Sequence, residues 1–275
     1  MNKLRSVIIF LASLNSYGQS FLEVDFNLNG SIYSITQTDF EVTKDSNGNI
    51  IKGDTVDCSE RIYVFDEHMR IMEEKFCMLD FLSSYKYEYD SDGKLIRRTD
   101  FENLDRKYEY DNQGNQTREL MFDSEGLMGS WTYKYDHNGN RIERNGYLGE
   151  SFVERWIIEY DGGNRKVLEY MVSEEPDNTP TTERIEYEYD TKDKLVKTVS
   201  TDPDRKDRAV AVNTYHYNDQ GDKTKHYSMN GFHNSREVTK TYQYEYDKKN
   251  NWIKRIEFEN GIPHVITIRV IEYRN

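Results

Sequence analysis

Tyr108-Glu109-Tyr110-Asp111-Asn112-Gln113-Gly114-Asn115 is the stretch from which the fold of this chain can be read. Versions of it return at 87–94, 133–140, 158–164, 187–194, 215–222 and 244–251. Aligned on the turn residues Asp90, Asp111, Asp136, Asp161, Asp190, Asn218 and Asp247, the units follow one another at intervals of 21 to 29 residues. Tyr89, Tyr110, Tyr135, Tyr160, Tyr189, Tyr217 and Tyr246 stand one place before the turn residue. Three places before it stand Tyr87, Tyr108, Tyr133, Ile158, Tyr187, Tyr215 and Tyr244. Between these columns lie Glu88, Glu109, Lys134, Glu159, Glu188, His216 and Glu245. Large and charged residues thus alternate with period two, the mark of a strand with one covered and one wet face. Tyr suits the covered face, because its ring is apolar while its hydroxyl can find a partner.

The turn follows from Asp-x-x-Gly. The carboxylate can accept from backbone N–H groups just ahead, and Gly93, Gly114, Gly139 and Gly221 can take the left-handed conformation without steric cost. Asn164, Lys194 and Asn251 mark units in which the spacing drifts or the Gly is lost. Read as a four-residue loop, the turn sets Ile96, Thr117, Ile142, Val167, Val196, Thr224 and Ile253 opposite the Tyr three places before it. A loop of another length would set that Tyr against the mostly basic next column (Arg97, Arg118, Lys197, Lys225, Lys254). The four-residue loop is the expectation, with the bases on the wet face beside the acidic ladder.

Each unit is long enough for two strands and two turns. Asp123-Ser124-Glu125-Gly126, Asn230-Gly231 and Asn260-Gly261 read as tight second turns, while 173–182 and 200–208 hold three of the four prolines and read as longer loops. Variation gathers on these second turns, so a specific partner is expected at those two loops. Residues 19–60 read as strands of uncertain register. Asp45-Ser46-Asn47-Gly48-Asn49 copies the turn behind Lys44 instead of Tyr, and Tyr63-Val64-Phe65-Asp66 lacks the Gly, as terminal repeats tend to depart from pattern.

Composition narrows the class. Only 36% of residues are hydrophobic, which with many charges would suit a disordered chain. The 22 tyrosines and the regular punctuation argue instead for extended β-structure with much exposed surface. A net charge of −13 disfavours a nucleic-acid or anionic-membrane surface, both of which need clustered Lys and Arg. Lys3, Arg5, the apolar run Val7-Ile8-Ile9-Phe10-Leu11-Ala12, and small Ser16 and Gly18 before Gln19 read as a secretory signal over 1–18. That run is too short to span a bilayer, so no membrane span is expected in the mature chain. No Cys follows it to carry a lipid anchor. Residues 19–275 are expected to form a single β-repeat domain, degenerate over 19–80 and regular over 81–275.

The Tyr-x-Tyr-Asp-x-x-Gly-Asn signature resembles the YD repeats of the RHS family, found in bacterial polymorphic toxins and teneurins, over about residues 60–274. The resemblance implies a long antiparallel β-meander that curls, and carbohydrate binding has been attributed to some such repeats. Large members enclose a toxin payload. This sequence has too few units for a large shell, lacks the Asp-Pro-x-Gly core motif and carries no C-terminal toxin domain. Neither encapsulation nor self-cleavage is therefore expected.

Sites of chemistry are few. Under the four-residue loop applied at Asp66, Cys58 and Cys77 fall opposite one another on adjacent strands, where an exported chain can oxidise them. The alternative is two free thiols. The histidines at 68, 137, 216, 226, 233 and 264 show no metal-ligand spacing and read as surface residues, and two Cys without CxxC make no zinc site. Asp90-Ser91-Asp92-Gly93 and Asp136-His137-Asn138-Gly139 lack the ligand set of a calcium loop and read as turns. Trp131 and Trp156 occupy equivalent positions and could stack on sugar rings, although by parity they point to the covered face, which favours core packing. No GxSxG, phosphate loop or HExxH appears, and no catalytic residue, cofactor or metal is expected.

The sequence therefore predicts an all-β protein, a repetitive antiparallel meander forming one curled sheet of about sixteen strands. An outer-membrane barrel is the less favoured alternative, because Arg98, Arg144 and Arg255 share the aromatic columns. The expected function is an exported scaffold for binding or structure, secreted or periplasmic or attached at the cell surface. Competing readings are a carbohydrate-recognition module and a hydrolase whose site escapes motif searches.

Overall fold

Alternating Tyr and charge produces strands, and the Asp turns join each strand to its neighbour. The computed structural model describes residues 28–78, 81–100, 104–172, 184–201, 209–231 and 236–274, which form nineteen strands in one sheet. The expected leader lies outside the described residues, as do the loop at 173–182 and all of 200–208 except its first two residues. The first strands are β1 (Ile32–Lys44), β2 (Ile50–Thr55), β3 (Arg61–Phe65), β4 (Ile71–Met78), β5 (Phe81–Tyr89), β6 (Leu95–Thr99) and β7 (Asp105–Tyr110). Next come β8 (Gln116–Asp123), β9 (Gly126–Tyr135), β10 (Arg141–Leu148), β11 (Ser151–Tyr160), β12 (Lys166–Val172) and β13 (Arg184–Tyr189). The last are β14 (Leu195–Thr201), β15 (Ala209–Tyr217), β16 (Lys223–Asn230), β17 (Arg236–Tyr246), β18 (Trp252–Glu259) and β19 (Ile262–Tyr273).

From β3 to β19 each strand pairs antiparallel with the next. β19 then pairs with β1, from Ile32↔Tyr273 to Glu41↔Val265, and β1 pairs with β3, from Ser34↔Val64 to Gln37↔Arg61. β1 and the seventeen strands β3–β19 thus close an 18-stranded barrel. β2 stands outside that ring, in a hairpin with the far end of β1 (Val42↔Lys52 to Lys44↔Ile50). The expected curled sheet of about sixteen strands is corrected to a closed barrel of eighteen. Closure removes the two unpaired edges of a meander and takes the Tyr face out of bulk water. It joins residues from the two ends of the chain: the Ser34 hydroxyl donates to Glu272 Oε2 at 2.7 Å across 238 positions.

The turns share one geometry. In the Asp111 turn, the Asp111 N–H donates to the Asn115 carbonyl (2.9 Å) and the Gly114 N–H to the Asp111 carbonyl (3.1 Å). Asp111 Oδ1 accepts from the N–H of Gln113 and of Asn115. The residue three places after Asp is always left-handed: Gly93, Gly114, Gly139 and Gly221, but also Asn164, Asp193 and Asn250. The spacing therefore does not drift where Gly is missing. The left-handed residues in the last two Gly-less units are Asp193 and Asn250 rather than Lys194 and Asn251, since Asn and Asp tolerate that conformation. These hydrogen bonds, with those from the Asn115, Asn140 and Arg165 side chains, hold the carboxyls of Asp111, Asp136 and Asp161 below the usual Asp range.

The register departs from both sequence readings. Tyr110 faces Gln116, a bulge follows, and Tyr108 faces Glu119, eight places after the turn residue. The same shift recurs at the other turns, giving Tyr87↔Arg98, Tyr133↔Arg144, Ile158↔Glu169, Tyr187↔Thr198, Tyr215↔His226 and Tyr244↔Arg255. The slip from the four-residue expectation is two residues, so the aromatic and charged columns keep their faces. The β-branched column does not lie across from Tyr; its Ile96 is exposed on the outside. The bulge absorbs one extra residue per turn and strengthens strand twist, which helps the meander close.

A repeated rung explains why the position before Asp is Tyr rather than Phe. The hydroxyls of Tyr89, Tyr110, Tyr135, Tyr160, Tyr189 and Tyr217 donate to the carbonyls of Ile71, Leu95, Gln116, Arg141, Lys166 and Leu195 in the preceding hairpin, at 2.8–3.0 Å. Each rung ties one repeat to the one before it. Tyr110→Phe should cost about 1 kcal/mol, the net worth of one such hydrogen bond, with little change in ring packing. Urea unfolding of the single variant checks this, and a loss near zero would mean that water replaces the hydroxyl.

Cys58 and Cys77 are joined, with a Cα–Cα distance of 4.9 Å. They are not a cross-strand pair: Cys58 sits in the turn before β3 with φ 56°, because the register at Asp66 carries the same two-residue shift. The second turns also divide. Asn260 and Gly261 both have positive φ between Glu259 and Ile262, as a two-residue type I′ hairpin requires. Asp123 caps its turn through Glu125 and Gly126. Asn230 pairs with Arg236, so the Asn230-Gly231 connection is longer than the tight turn expected.

Two buried clusters anchor the ring. At the closing seam Ile32, Ile35, Tyr63 and Phe65 pack together with Met69, Ile71 and Ile271 against them. Nearly opposite in strand order, Met121, Trp131 and Trp156 pack with Tyr133, Met171 and Ile185.

Candidate functional site

Closing the barrel over its Tyr columns brings a polar belt inside. Glu74 on β4, Arg98 on β6, Glu119 on β8, Arg144 on β10 and Glu169 on β12 occupy the same place in successive hairpins, alternating in sign. The belt continues through Thr198, His226 and Arg255. Opposite each stands the Tyr (or Ile158) column, so charges and rings interleave around the lumen. The sequence holds this pattern, but only the bulged register places it across from Tyr.

The belt is cross-linked. Arg144 Nη2 lies 3.5 Å from Glu169 Oε1, while Glu169 Oε2 accepts from the Tyr187 hydroxyl (3.0 Å) and from Lys166 Nζ (2.9 Å). Arg106 pairs with Glu119, which also accepts from the Tyr133 hydroxyl at 3.2 Å. Burial first, and the neighbouring carboxylate second, push Tyr108, Tyr133 and Tyr187 well above the usual phenol range. These phenols therefore stay protonated and act as donors.

Glu74 is the uneasy member. It is 1% exposed, its Oε1 has no hydrogen-bond partner, and burial raises its pKa despite the nearby Arg61 and Arg98 and the Tyr87 hydroxyl. A raised folded-state pKa means that the folded protein holds this proton more tightly than the unfolded chain does. The associated stability is thus present below the unfolded value of about 4.3 and lost as pH rises through the folded one. Glu74→Gln should accordingly be more stable than wild type at pH 7, by about 1 kcal/mol. The gain should shrink as pH falls toward about 4. Denaturant midpoints of both proteins across that range check the sign.

Trp131 and Trp156, the sugar-stacking candidates, are 7% and 4% exposed. The Arg144 guanidinium lies 5.3 Å from one ring centroid and 4.5 Å from the other. Their faces are taken by the cation and the core, which leaves no open platform for a sugar. His226, expected at the surface, is half-buried. It stacks on Tyr215 with centroids 5.0 Å apart, meets Asn213 Oδ1 at 3.0 Å, and is held below the usual His range by burial and by Lys223 and Lys240. His68, His137, His216 and His264 are exposed, and His233 lies outside the described residues. Among the described residues, no three His, Cys, Asp or Glu side chains converge as metal ligands would. A cleft of about 280 Å³ lies between adjacent Asp turns, lined among others by Asp190, Lys192, Lys194, Tyr217 and Asn218.

The outer face carries exposed ion pairs beside apolar residues such as Ile96. Glu88 pairs with Arg97 (3.3 Å), Glu188 with Lys197 (2.6 Å) and Glu245 with Lys254 (2.6 Å), each pair exposed or nearly so.

No family model matches the chain, and no curated protein matches it. Among solved structures, a porin-like protein from Bacteroides uniformis is 14% identical with a TM-score of 0.42, over 89% of this chain and 98% of that one. A chain of the TcdB2-TccC3-Cdc42 crystal structure is 13% identical with a TM-score of 0.38, over 83% of this chain but only 13% of that one. Likenesses this loose assign neither a family nor a function.

Proposed function

We propose that this protein is an exported, non-catalytic scaffold for binding or structure, built from YD-type β-hairpin repeats. The observation that supports this most directly is the pairing of most lumen charges, Glu74 apart. Arg144 with Glu169, Arg106 with Glu119, and Lys240 with Glu257 are spent on one another and on Tyr hydroxyls. Catalysis calls instead for a titratable group held ready beside space for a substrate. The exposed ion pairs of the outer face favour water on that side, whereas a barrel facing lipid carries an apolar band there. The basic and apolar leader favours export to the periplasm, the medium or the cell surface, and the recurring Tyr-x-Tyr-Asp motif favours the YD-repeat assignment.

The partner, a protein or a glycan, is read at the loops 173–182 and 200–208. Crosslinking of the exported chain to its partner on intact cells, repeated with both loops exchanged for Gly/Ser segments, tests the reading. Capture should disappear with the exchange, and capture that survives it refutes the loops as the reading surface. A glycan array separates the two partner classes. Turnover of any arrayed substrate would replace the scaffold reading with the hydrolase.

A further inference from the structure

Along one end of the barrel, side chains tie neighbouring Asp turns together. Asn140 Nδ2 donates to Asn164 Oδ1 at 3.0 Å, Arg165 Nη1 to Asp193 Oδ1 at 2.8 Å, and the Tyr246 hydroxyl to Asp222 Oδ2 at 2.8 Å. Between the turns 190–194 and 218–222 no hydrogen bond or ion pair is formed, and the cleft of about 280 Å³ opens there. The local sequence explains the gap. In the turns at Asp66, Asp111, Asp136 and Asp161 the carboxylate Oδ2 accepts from the side chain four places on, at 2.6–3.1 Å. At Asp190 that place is Lys194, whose ammonium lies instead toward the Tyr217 ring, 5.8 Å from its centroid. Asp190 Oδ1 accepts from the N–H of Lys192 and of Lys194, while Oδ2 is left without a donor. These N–H groups, that of Lys194 first, hold the Asp190 carboxyl below the usual Asp range, so it stays anionic. The ammonium groups of Lys192 and Lys194 and the carboxylate of Asp219, all lining the same cleft, form no ion pair either. On the same pair of strands, by contrast, Lys197 meets Glu188 at 2.6 Å.

We propose that this cleft binds a small zwitterion, a free α-amino acid, whose carboxylate meets the ammonium groups of Lys192 and Lys194 and whose ammonium meets the carboxylates of Asp190 and Asp219. The unspent charges in the cleft are of both signs, two ammonium groups and two carboxylates, so neither a plain anion nor a plain cation satisfies them all. Its volume sets the size of the ligand. The cleft falls just under the range of about 300–1,000 Å³ that holds drug-sized molecules, which leaves room for a few carbons beside the two charged groups. Val196 and Tyr215 offer apolar surface to the ligand's own side chain. The cleft lies at the opposite strand ends from the loops 173–182 and 200–208, so it goes beyond the proposed function and does not depend on those loops.

The test is calorimetric titration of the exported chain at pH 7 with L-leucine, with leucinamide, which lacks the carboxylate, and with N-acetylleucine, which lacks the ammonium. Leucine should give one saturable site. Each blocked form should bind at least tenfold more weakly, the worth of one charge-assisted contact. Lys192→Gln should weaken leucine and N-acetylleucine while leaving leucinamide unchanged, and Asp219→Asn should weaken leucine and leucinamide while leaving N-acetylleucine unchanged. Both side chains are exposed and neither holds its turn, so far-ultraviolet dichroism of the variants should match wild type. Absence of saturable heat with leucine, equal affinity for the three ligands, or equal affinity in wild type and both variants would overturn the site. The loop-exchange experiment would stand unaffected by any of these results.

Discussion

Replacing Glu169 by Ala should cost about 3–5 kcal/mol of folding free energy, the usual penalty for leaving a buried charge without its partner. Glu169 is 2% exposed and accepts from Tyr187 and Lys166 while facing Arg144. Truncation leaves Arg144, itself buried and with an unpaired Nε, between two indole rings and without an anion. The comparison that isolates burial is Glu188→Ala. Glu188 pairs with Lys197 at a shorter distance, 2.6 Å, but on the exposed wall. Its loss should cost less than about 1 kcal/mol, because water screens that pair and can replace it. Urea midpoints of the two variants should therefore differ several-fold in their displacement. Equal displacements would mean that the belt is solvated and that the lumen is not the low-dielectric interior described above.

The second large effect is expected at the seam. Ile35 is fully buried between Tyr63 on β3 and Ile271 on β19, so it touches both strands that close the ring. Ile35→Ala should destabilise by about 2–5 kcal/mol, the sum of lost apolar transfer and the cavity left behind. Because β1 alone bridges the two ends of the meander, the damage should also be local. Amide exchange should speed up over 32–44 and 262–273 well before it does over β8–β12. Uniform acceleration along the chain would show that the barrel unfolds only as a whole. Unchanged exchange at β1 would show that closure contributes nothing to its protection.

Much of the local structure is legible in a single unit. Tyr108, Glu109 and Tyr110 alternate because a strand presents successive side chains to opposite faces, and Glu109 is exposed while its neighbours are half-buried. Asp111 and Gly114 announce their turn because the carboxylate, the N–H groups it binds and the left-handed residue all lie within five positions. Where Gly is absent the signal weakens, since Asn164, Asp193 and Asn250 reach the same conformation with side chains that also serve elsewhere. The bulge left no trace, because the loop between Tyr110 and Gln116 and the extra residue Thr117 together slip the register by two, which keeps every side chain on its face. Cys58 and Cys77 were brought together on a register that proved two residues out, and their bond reaches from a turn to a strand.

Strands, turns and the covered Tyr face were thus written into the chain, because each depends on contacts among neighbours a few residues apart. The closing of the ring, the strand count, and the facing of Tyr by alternating Glu and Arg were decided only in three dimensions. Those features rest on β1 meeting β19 and β3, and on a bulge repeated at every turn. No local pattern encodes the meeting of two ends more than two hundred residues apart. It is settled by whether the accumulated twist of seventeen successive strands brings the last edge back to the first.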